Sequence, residues 1–490
     1  MRKSTIWILT LVCSLSIGLT QSVSVATYGI SPNGVNADTE DLFDLAYNGM
    51  QNVGVGTQMY LTGTVTDGSL TTPTWTVQWA PFGSTAGFGV SMDMDTSTQA
   101  IIFVPDVAGV YYIEFADLGA AATLTVHAAN YMGMTDGNCG MCHSDKVAEW
   151  EETGHSDMLV RGLNGTLSDH YGAYCIGCHT TGYDLNADNN GFDEHGFVYP
   201  DSTTLVDVYG SPDGHLFDGL YDLMAADYPD AFELANIQCE ACHGPGSDHF
   251  GNTSDFRMQA SLSTDNCAWC HDSGTHHVFP SQLAYSGHSN PPSRPSWSGG
   301  CYCHTPEGFI EYTDGETVTS HPTSPFSCAM CHDPHSLENP HQLRTDDDVE
   351  LMDGTIITDG GNGKLCMNCH KTRRDADSYS ETGSGGHYGP HYGCQTEMLT
   401  GENVITFGQD LPTSPHLTAT EDACVTCHMW NANGTADDDG NIYDVGGHTF
   451  HMVDEAGVEN VLSCAPCHGE IESFEEKLYW DNGIADHDGD

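Results

Sequence analysis

Two patterns of apolar and polar positions divide the chain. Between residues 28 and 128, β-branched and aromatic residues alternate with small polar ones in short runs: Gln58–Thr64, Thr74–Trp79, Ala100–Val104, Gly109–Phe115 and Ala122–Val126. Gly, Pro, Asp and Ser clusters separate the runs. Period-two alternation broken by turn residues predicts a β-sandwich of about 100 residues. From residue 131 to 490 periodicity is poor and Gly-, Asp- and Ser-rich loop predominates, with helices predicted only at Val147–Glu152, Leu216–Ala235 and Ile471–Tyr479. The expected fold is two-part: the β-sandwich, then a loop-rich, mostly α or irregular domain. So little continuous apolar pattern predicts no conventional core in the second part, and something other than side chains must fill its interior.

The amino terminus follows a third pattern. Met1-Arg2-Lys3 is basic, Ile6 to Leu19 is an apolar run of 14 residues, and Ser24-Val25-Ala26 supplies small residues after it. This predicts a signal peptide over residues 1–26. The run is too short and too rich in Ser and Thr for an anchor, and no later stretch approaches 18 apolar residues. The expectation is a secreted chain, in the periplasm or at the cell exterior, with no transmembrane segment after processing.

Charge and composition narrow the partners. Twelve Lys+Arg face 69 Asp+Glu, a formal net charge of -57 over 490 residues. A phosphate backbone needs a basic surface, so nucleic acid is excluded, and anionic lipid is disfavoured. The chain also holds 20 cysteines and 27 histidines. Cys13 falls in the leader; every other cysteine, and every histidine except His127, lies past residue 131.

These cysteines and histidines are ordered. Cys-x-x-Cys-His occurs eight times: Cys139/Cys142-His143, Cys175/Cys178-His179, Cys239/Cys242-His243, Cys267/Cys270-His271, Cys328/Cys331-His332, Cys366/Cys369-His370, Cys424/Cys427-His428 and Cys464/Cys467-His468. We number them motifs 1 to 8. Each is the attachment signature of a c-type haem: two thiols add across the porphyrin vinyl groups, and the adjacent histidine becomes the proximal iron ligand. Zinc sites and structural disulfides do not require a histidine directly after the second cysteine. A ninth site, Cys301-Tyr302-Cys303-His304, is one residue short. The favoured reading attaches a ninth haem through Cys303 alone, with His304 as ligand and Cys301 and Cys394 in a disulfide. Two thioethers with Cys394 free, or no haem there, remain as alternatives.

Nine further histidines stand in contexts that favour the opposite axial position: His155, His249, His277, His288, His321, His335, His387, His416 and His448. His249 closes a Gly-Pro-Gly turn after motif 3, His335 closes Cys-His-Asp-Pro-His, and His387 and His448 each follow a Gly-Gly pair where backbone can approach a flat ring. If every iron takes two histidines, no coordination position is open, which favours electron transfer over small-molecule reduction.

The span 131–470 resembles the exported multihaem cytochromes c of anaerobic bacteria, of the cytochrome c-554 and decahaem type. The resemblance rests on Gln238-Cys-Glu-Ala-Cys-His-Gly-Pro-Gly-Ser-Asp-His249, Cys328-Ala-Met-Cys-His-Asp-Pro-His335, Gly385-Gly-His-Tyr-Gly-Pro-His391 and Ser414-Pro-His416. It implies closely spaced haems that conduct electrons across the protein to redox partners or an extracellular acceptor, and it extends to self-assembly into a filament. Asp106-Val-Ala-Gly-Val-Tyr-Tyr resembles immunoglobulin-like and PKD-like domains, which implies a spacer or adhesion module. Two other function classes stay open: a multihaem oxidoreductase reducing a nitrogen or sulfur oxyanion, and an adhesin whose haems are structural filler. The reductases of the wider group use an open or lysine-ligated haem, and no Cys-x-x-Cys-Lys occurs here. Asp184-Leu-Asn-Ala-Asp188-Asn-Asn190-Gly and Asp437-Asp-Asp439-Gly-Asn441-Ile-Tyr-Asp444 place oxygen donors in loops that resemble calcium sites without the full EF-hand order.

Overall fold

The computed structural model describes residues 21–474 except 40–41, 135–137, 251, 254–255, 257, 276, 291–301, 322–323, 383–392 and 431–444. The chain begins with eight strands: β1 Val23–Thr27, β2 Asn52–Gly54, β3 Met59–Val65, β4 Thr74–Trp79, β5 Phe88–Asp93, β6 Thr98–Phe103, β7 Gly109–Asp117 and β8 Ala120–Ala129. They form two four-stranded sheets, ordered β1-β3-β6-β5 and β2-β8-β7-β4. All pairs are antiparallel except β2 with β8. Neither sheet closes into a barrel.

Alternation explains the packing. On β7, Tyr111, Ile113 and Phe115 are buried and the residues between them are not, and β3 and β6 bring Met59, Leu61, Ile101 and Phe103 to the same core. Phe103 and Tyr111 meet across the sheets with ring centres 5.5 Å apart. Gly63 lies against Phe115, where an added Cβ would stand 2.3 Å from the ring. The Tyr111 hydroxyl turns back to donate to the Val107 carbonyl (2.8 Å) and accept from the Val107 N–H (3.0 Å), pinning the turn before β7.

The five expected strands correspond to β3, β4, β6, β7 and β8. Three others were not expected. β1 pairs with β3 from Val23↔Val65 to Thr27↔Leu61, so a chain cut after Ala26 loses four of its five residues. The small residues that read as a cleavage signal are here the alternating residues of an edge strand.

After β8 the described structure is short helices and loop with two two-residue strand pairs, Asp272–Ser273 with His277–Val278 and Val349–Glu350 with Ile356–Ile357. The longest helix, Gly140–Glu151, begins earlier than the expected Val147 start. The expected helix over 216–235 divides into Leu220–Asp227 and Pro229–Phe232, because Pro229 cannot donate to the preceding turn. Residues 471–474 are not helical, and the rest of that expected helix lies outside the described residues. A side-chain core does exist at residues 159–235, where Leu159, Leu163, Tyr171, Ile176, Phe192, Leu220, Met224 and Phe232 pack together, contrary to the expectation for this part. Beyond it, the one further cluster among the described residues is small: Val349, Leu351, Ile357, Met367, Leu417 and Ala423. No described helix is long and apolar enough to cross a membrane.

The two parts are joined by buried polar bonds. Asn52 on β2 donates to the carbonyls of His243 (2.9 Å) and Pro245 (3.2 Å). The Gln259 side chain accepts from Gln51 N–H at 2.6 Å, and Ser31 donates to Asp272 at 2.6 Å. Glu240, between the cysteines of motif 3, accepts from the backbone of Met132, Gly133 and Gly246. The strand-rich part thus holds motifs 3 and 4 directly.

Candidate functional site

Each regular motif folds as about one helical turn. The histidine N–H donates to the carbonyl of the first cysteine in motifs 1, 2, 5, 6 and 8, at 2.9 to 3.2 Å. In a helical turn positions i, i+3 and i+4 share a face, so both thiols and the imidazole are presented together. All sixteen cysteines of the regular motifs are free thiols. Burial pushes Cys242 and Cys331 up to about 11, so both carry their protons at neutral pH.

The imidazoles have a defined tautomer. His243, His332 and His428 direct Nδ1 at the carbonyls of Gln259 (2.6 Å), His341 (2.8 Å) and Phe450 (2.9 Å). A carbonyl only accepts, so Nδ1 carries the proton and Nε2 keeps a lone pair. Removal from bulk water pushes His179, His271, His288 and His448 down to about 4, so all four are neutral at pH 7. His271 keeps an exposed surface, with His155, His277 and Phe279 around its ring.

The distances between rings carry the most information. Six histidine pairs have ring centres 6.1 to 6.3 Å apart: His155–His271, His243–His335, His271–His277, His288–His370, His332–His448 and His416–His468. Other ring pairs run from 4.0 Å for Tyr302–Tyr312 to 6.4 Å for Tyr47–Tyr60. The interplanar angles in the six range from 17° to 84°, so stacking does not set the spacing. A metal ion between two trans imidazoles lies about 2.0–2.1 Å from each nitrogen, itself about 1.1 Å from the ring centre, so the centres stand about 6.2–6.4 Å apart. The residues therefore fit a group that offers one metal ion two opposite axial positions and two points of thiol attachment.

Five motif histidines have such a partner, and each partner was singled out from the sequence. His277 also acts on His179 closely enough to lower its pKa. His335 is oriented by Asp333 at 3.1 Å, which Arg344 faces at 3.7 Å. His249 is in place after its turn, donating from Nδ1 to the Phe256 carbonyl, but stands at this spacing from no described histidine. His321 instead bonds Glu311 at 3.0 Å through Nε2. His387 and Cys301 lie outside the described residues, so neither that ligand nor the Cys301–Cys394 bridge is located. No described histidine stands at this spacing from His143 or His428.

The thiols of different motifs also meet. Cys139 lies beside Cys239, Cys178 beside Cys270, Cys267 beside Cys328, and Cys366 beside Cys424, close enough for each thiol to act on the other. The irregular site docks on motif 6: the Tyr302 hydroxyl donates to the Asn368 carbonyl at 3.1 Å, and buried Cys303 shares with Cys369 an influence on Lys371. A cleft of about 320 Å³ opens beside motif 1, between Met134, Val147, Trp150, Tyr221 and Phe232.

Among the described residues no three His, Cys, Asp or Glu side chains converge on one metal-ion position. In the loop from Asp184, side chains are used internally: Asp184 accepts from Asn186 N–H, and Asn190 donates to Tyr131. Residues 437–444 lie outside the described residues. The acceptors that fix Nδ1, the Gln259, His341 and Phe450 carbonyls, carry no sequence signal, nor does the Tyr171 hydroxyl that meets His179 Nδ1 at 3.0 Å.

No family model matches the chain, and no curated protein matches it.

Proposed function

We propose that the chain is a multihaem c-type cytochrome that carries electrons among closely spaced, mostly bis-histidine haems. The observation that carries this reading is the set of six imidazole pairs at 6.1 to 6.3 Å, five of whose motif histidines follow a Cys-x-x-Cys turn. Haem, when bound, supplies an iron that changes oxidation state by one electron. The motif cysteines would hold it covalently. Five motif histidines have a ring that would hold the iron from the other side: His243 with His335, His332 with His448, His370 with His288, His468 with His416, and His271 with His155; His277, which stands at the same spacing from His271, also acts on His179 and would serve that motif. The carbonyls behind Nδ1 of His243 and His332 keep those two rings in the ligating tautomer and resist their rotation.

Where both rings are in place, a bound haem would change oxidation state with little movement and would offer a substrate no open position. That favours a carrier over an oxyanion reductase. The net charge of -57 also disfavours an anionic substrate. Export, the ninth haem through Cys303 and His304, and the relation of the strand-rich part to immunoglobulin-like or PKD-like domains belong to the same proposal. The test is a haem count by pyridine haemochrome on the purified protein, with electron paramagnetic resonance for spin state. Eight or nine haems, nearly all low-spin, are expected. A substantial high-spin population that binds cyanide or nitrite would transfer the chain to the reductase class.

A further inference from the structure

The order in which the motifs touch is not their order in the sequence. Motif 1 meets motif 3: Cys139 lies beside Cys239, and Trp150 of the motif 1 helix donates to the Ile237 carbonyl at 2.9 Å. Motif 2 meets motif 4: the Cys270 thiol approaches the Cys178 carbonyl at 3.8 Å and lies beside its thiol. Motif 3 also meets motif 4, where Asn266 donates to the Cys242 carbonyl at 3.0 Å. The helices Thr264–His271 and Cys328–Cys331 pack together, with Cys267 on Cys328. Beyond them Cys331 lies close to Cys366, the helices Gly363–Cys369 and Cys424–His428 pack together, and Cys427 lies close to both cysteines of motif 8.

Among the regular motifs described here, motif 4 is the one that meets three others, 2, 3 and 5, whereas motif 6 meets motifs 5 and 7 and the irregular site. Its two cysteines divide the work: Cys270 faces motif 2 and Cys267 faces motif 5. Because each thiol would join an edge of a macrocycle, contact between thiols brings two such edges together.

We infer that motif 4 is the junction of a branched relay, in which the routes 1–3–4 and 2–4 converge and continue along 5–6–7–8. The inference rests on the haem reading above. Two inlets then feed one outlet, or the reverse, so the chain can exchange electrons with two partners at separate surfaces and a third at motif 8. The ends fit such a role: Cys142 and Cys467 are the two exposed cysteines among the described residues, in motifs 1 and 8. Beside motif 2, Tyr174 is 74% exposed.

An experimental density map of the haem-loaded protein gives the iron order directly. The iron held by His271 is expected to have those of His179, His243 and His332 as its nearest neighbours. An iron order that follows motif number, with motif 2 between 1 and 3, overturns the inference. A functional arm uses single-molecule conductance between introduced thiol anchors, Ser144→Cys with Glu470→Cys for the route from motif 1, and Tyr174→Cys with Glu470→Cys for the route from motif 2. His243→Met keeps both cysteines and makes that site a trap, because a Met/His pair raises the potential. It is expected to lower current on the first route at least tenfold more than on the second. Equal losses on both routes overturn the junction. If His243→Met fails to load, His332→Met, beyond the junction, must lower both routes alike; loss on one route alone is equally fatal. Fewer than eight haems in the unsubstituted protein instead refutes the haem reading itself.

Discussion

Glu240 offers a test of how the two parts are joined that does not depend on the cofactor. Its carboxylate is 2% exposed and accepts from Met132 N–H at 3.0 Å, Gly133 N–H at 2.8 Å and Gly246 N–H at 2.6 Å. It therefore ties the segment leaving β8 to both sides of the motif 3 turn. A buried N–H left without an acceptor costs about 1–3 kcal/mol. Glu240→Ala orphans three of them, so it should lower the unfolding free energy by roughly 3–6 kcal/mol. Glu240→Gln retains one oxygen but turns an amide donor toward N–H groups on the other side, a cost of about 1–3 kcal/mol. Burial raises the Glu240 pKa, with the three N–H donors opposing it. A carboxyl whose pKa is higher folded than unfolded contributes stability that is complete below its unfolded value, about 4.3, and is lost as pH rises through the folded value. The advantage of the native chain over Glu240→Gln is thus expected to be larger near pH 4 than near pH 7. Denaturant titrations of the three proteins at both pH values measure this. An Ala variant within 1 kcal/mol of native, or an advantage over Gln that grows from pH 4 to 7, would refute the reasoning.

Three further outcomes follow from the same geometry. His335→Ala removes the ring facing His243 and should convert one haem from low-spin to high-spin with the haem count unchanged; an unaltered resonance spectrum would mean that His243 has another partner. A chain beginning at Thr27 lacks nearly all of β1 and should be several kcal/mol less stable than one beginning at Gln21, since about five paired positions each contribute about 1 kcal/mol; mass spectrometry of the protein from its native source should accordingly find its first residue before Val23. Gly63→Val drives a side chain into the Phe115 ring and should lower stability by about 1–3 kcal/mol or more, read from thermal unfolding, with motif chemistry untouched.

What could be read from the sequence depended on whether the signal was local. β3, β6, β7 and β8 are legible because each buries one face more than the other, and β4 because half-buried Trp75 and Val77 alternate with exposed neighbours. β5 was not, because Phe88–Asp93 is a mostly exposed edge strand with little alternation. β2 is three residues long and paired in parallel to β8, a partner about 70 positions away. The core at residues 159–235 collects single aromatics such as Tyr171, Phe192 and Phe232 from separate short elements, so no period announces it. The motif turns are wholly local and were legible to the residue.

The opposite ligands show the boundary most clearly. On the proposed reading each motif turn would present its own histidine to one face of a flat group, so a ligand for the other face would have to arrive from elsewhere in the chain. His335, chosen for its closeness to motif 5, faces His243 of motif 3, while His332 of motif 5 faces His448, far along the chain. Local context could mark these residues as ligands but not assign them, because assignment is a long-range property. His321 looked equivalent until Glu311 was seen to engage its Nε2. A structural consequence follows. Isolating neutral imidazoles such as His271, His288 and His448 from bulk water is unfavourable unless something compensates. Beyond residue 240 the described apolar cluster is too small to offset it. The thiols and imidazoles in that part are arranged at spacings that a metal-bearing flat ring satisfies, and such a ring would also supply the missing apolar contact. The part beyond residue 240 should therefore be stable only when loaded, whereas the strand-rich part and residues 159–235, each with its own core, should fold either way.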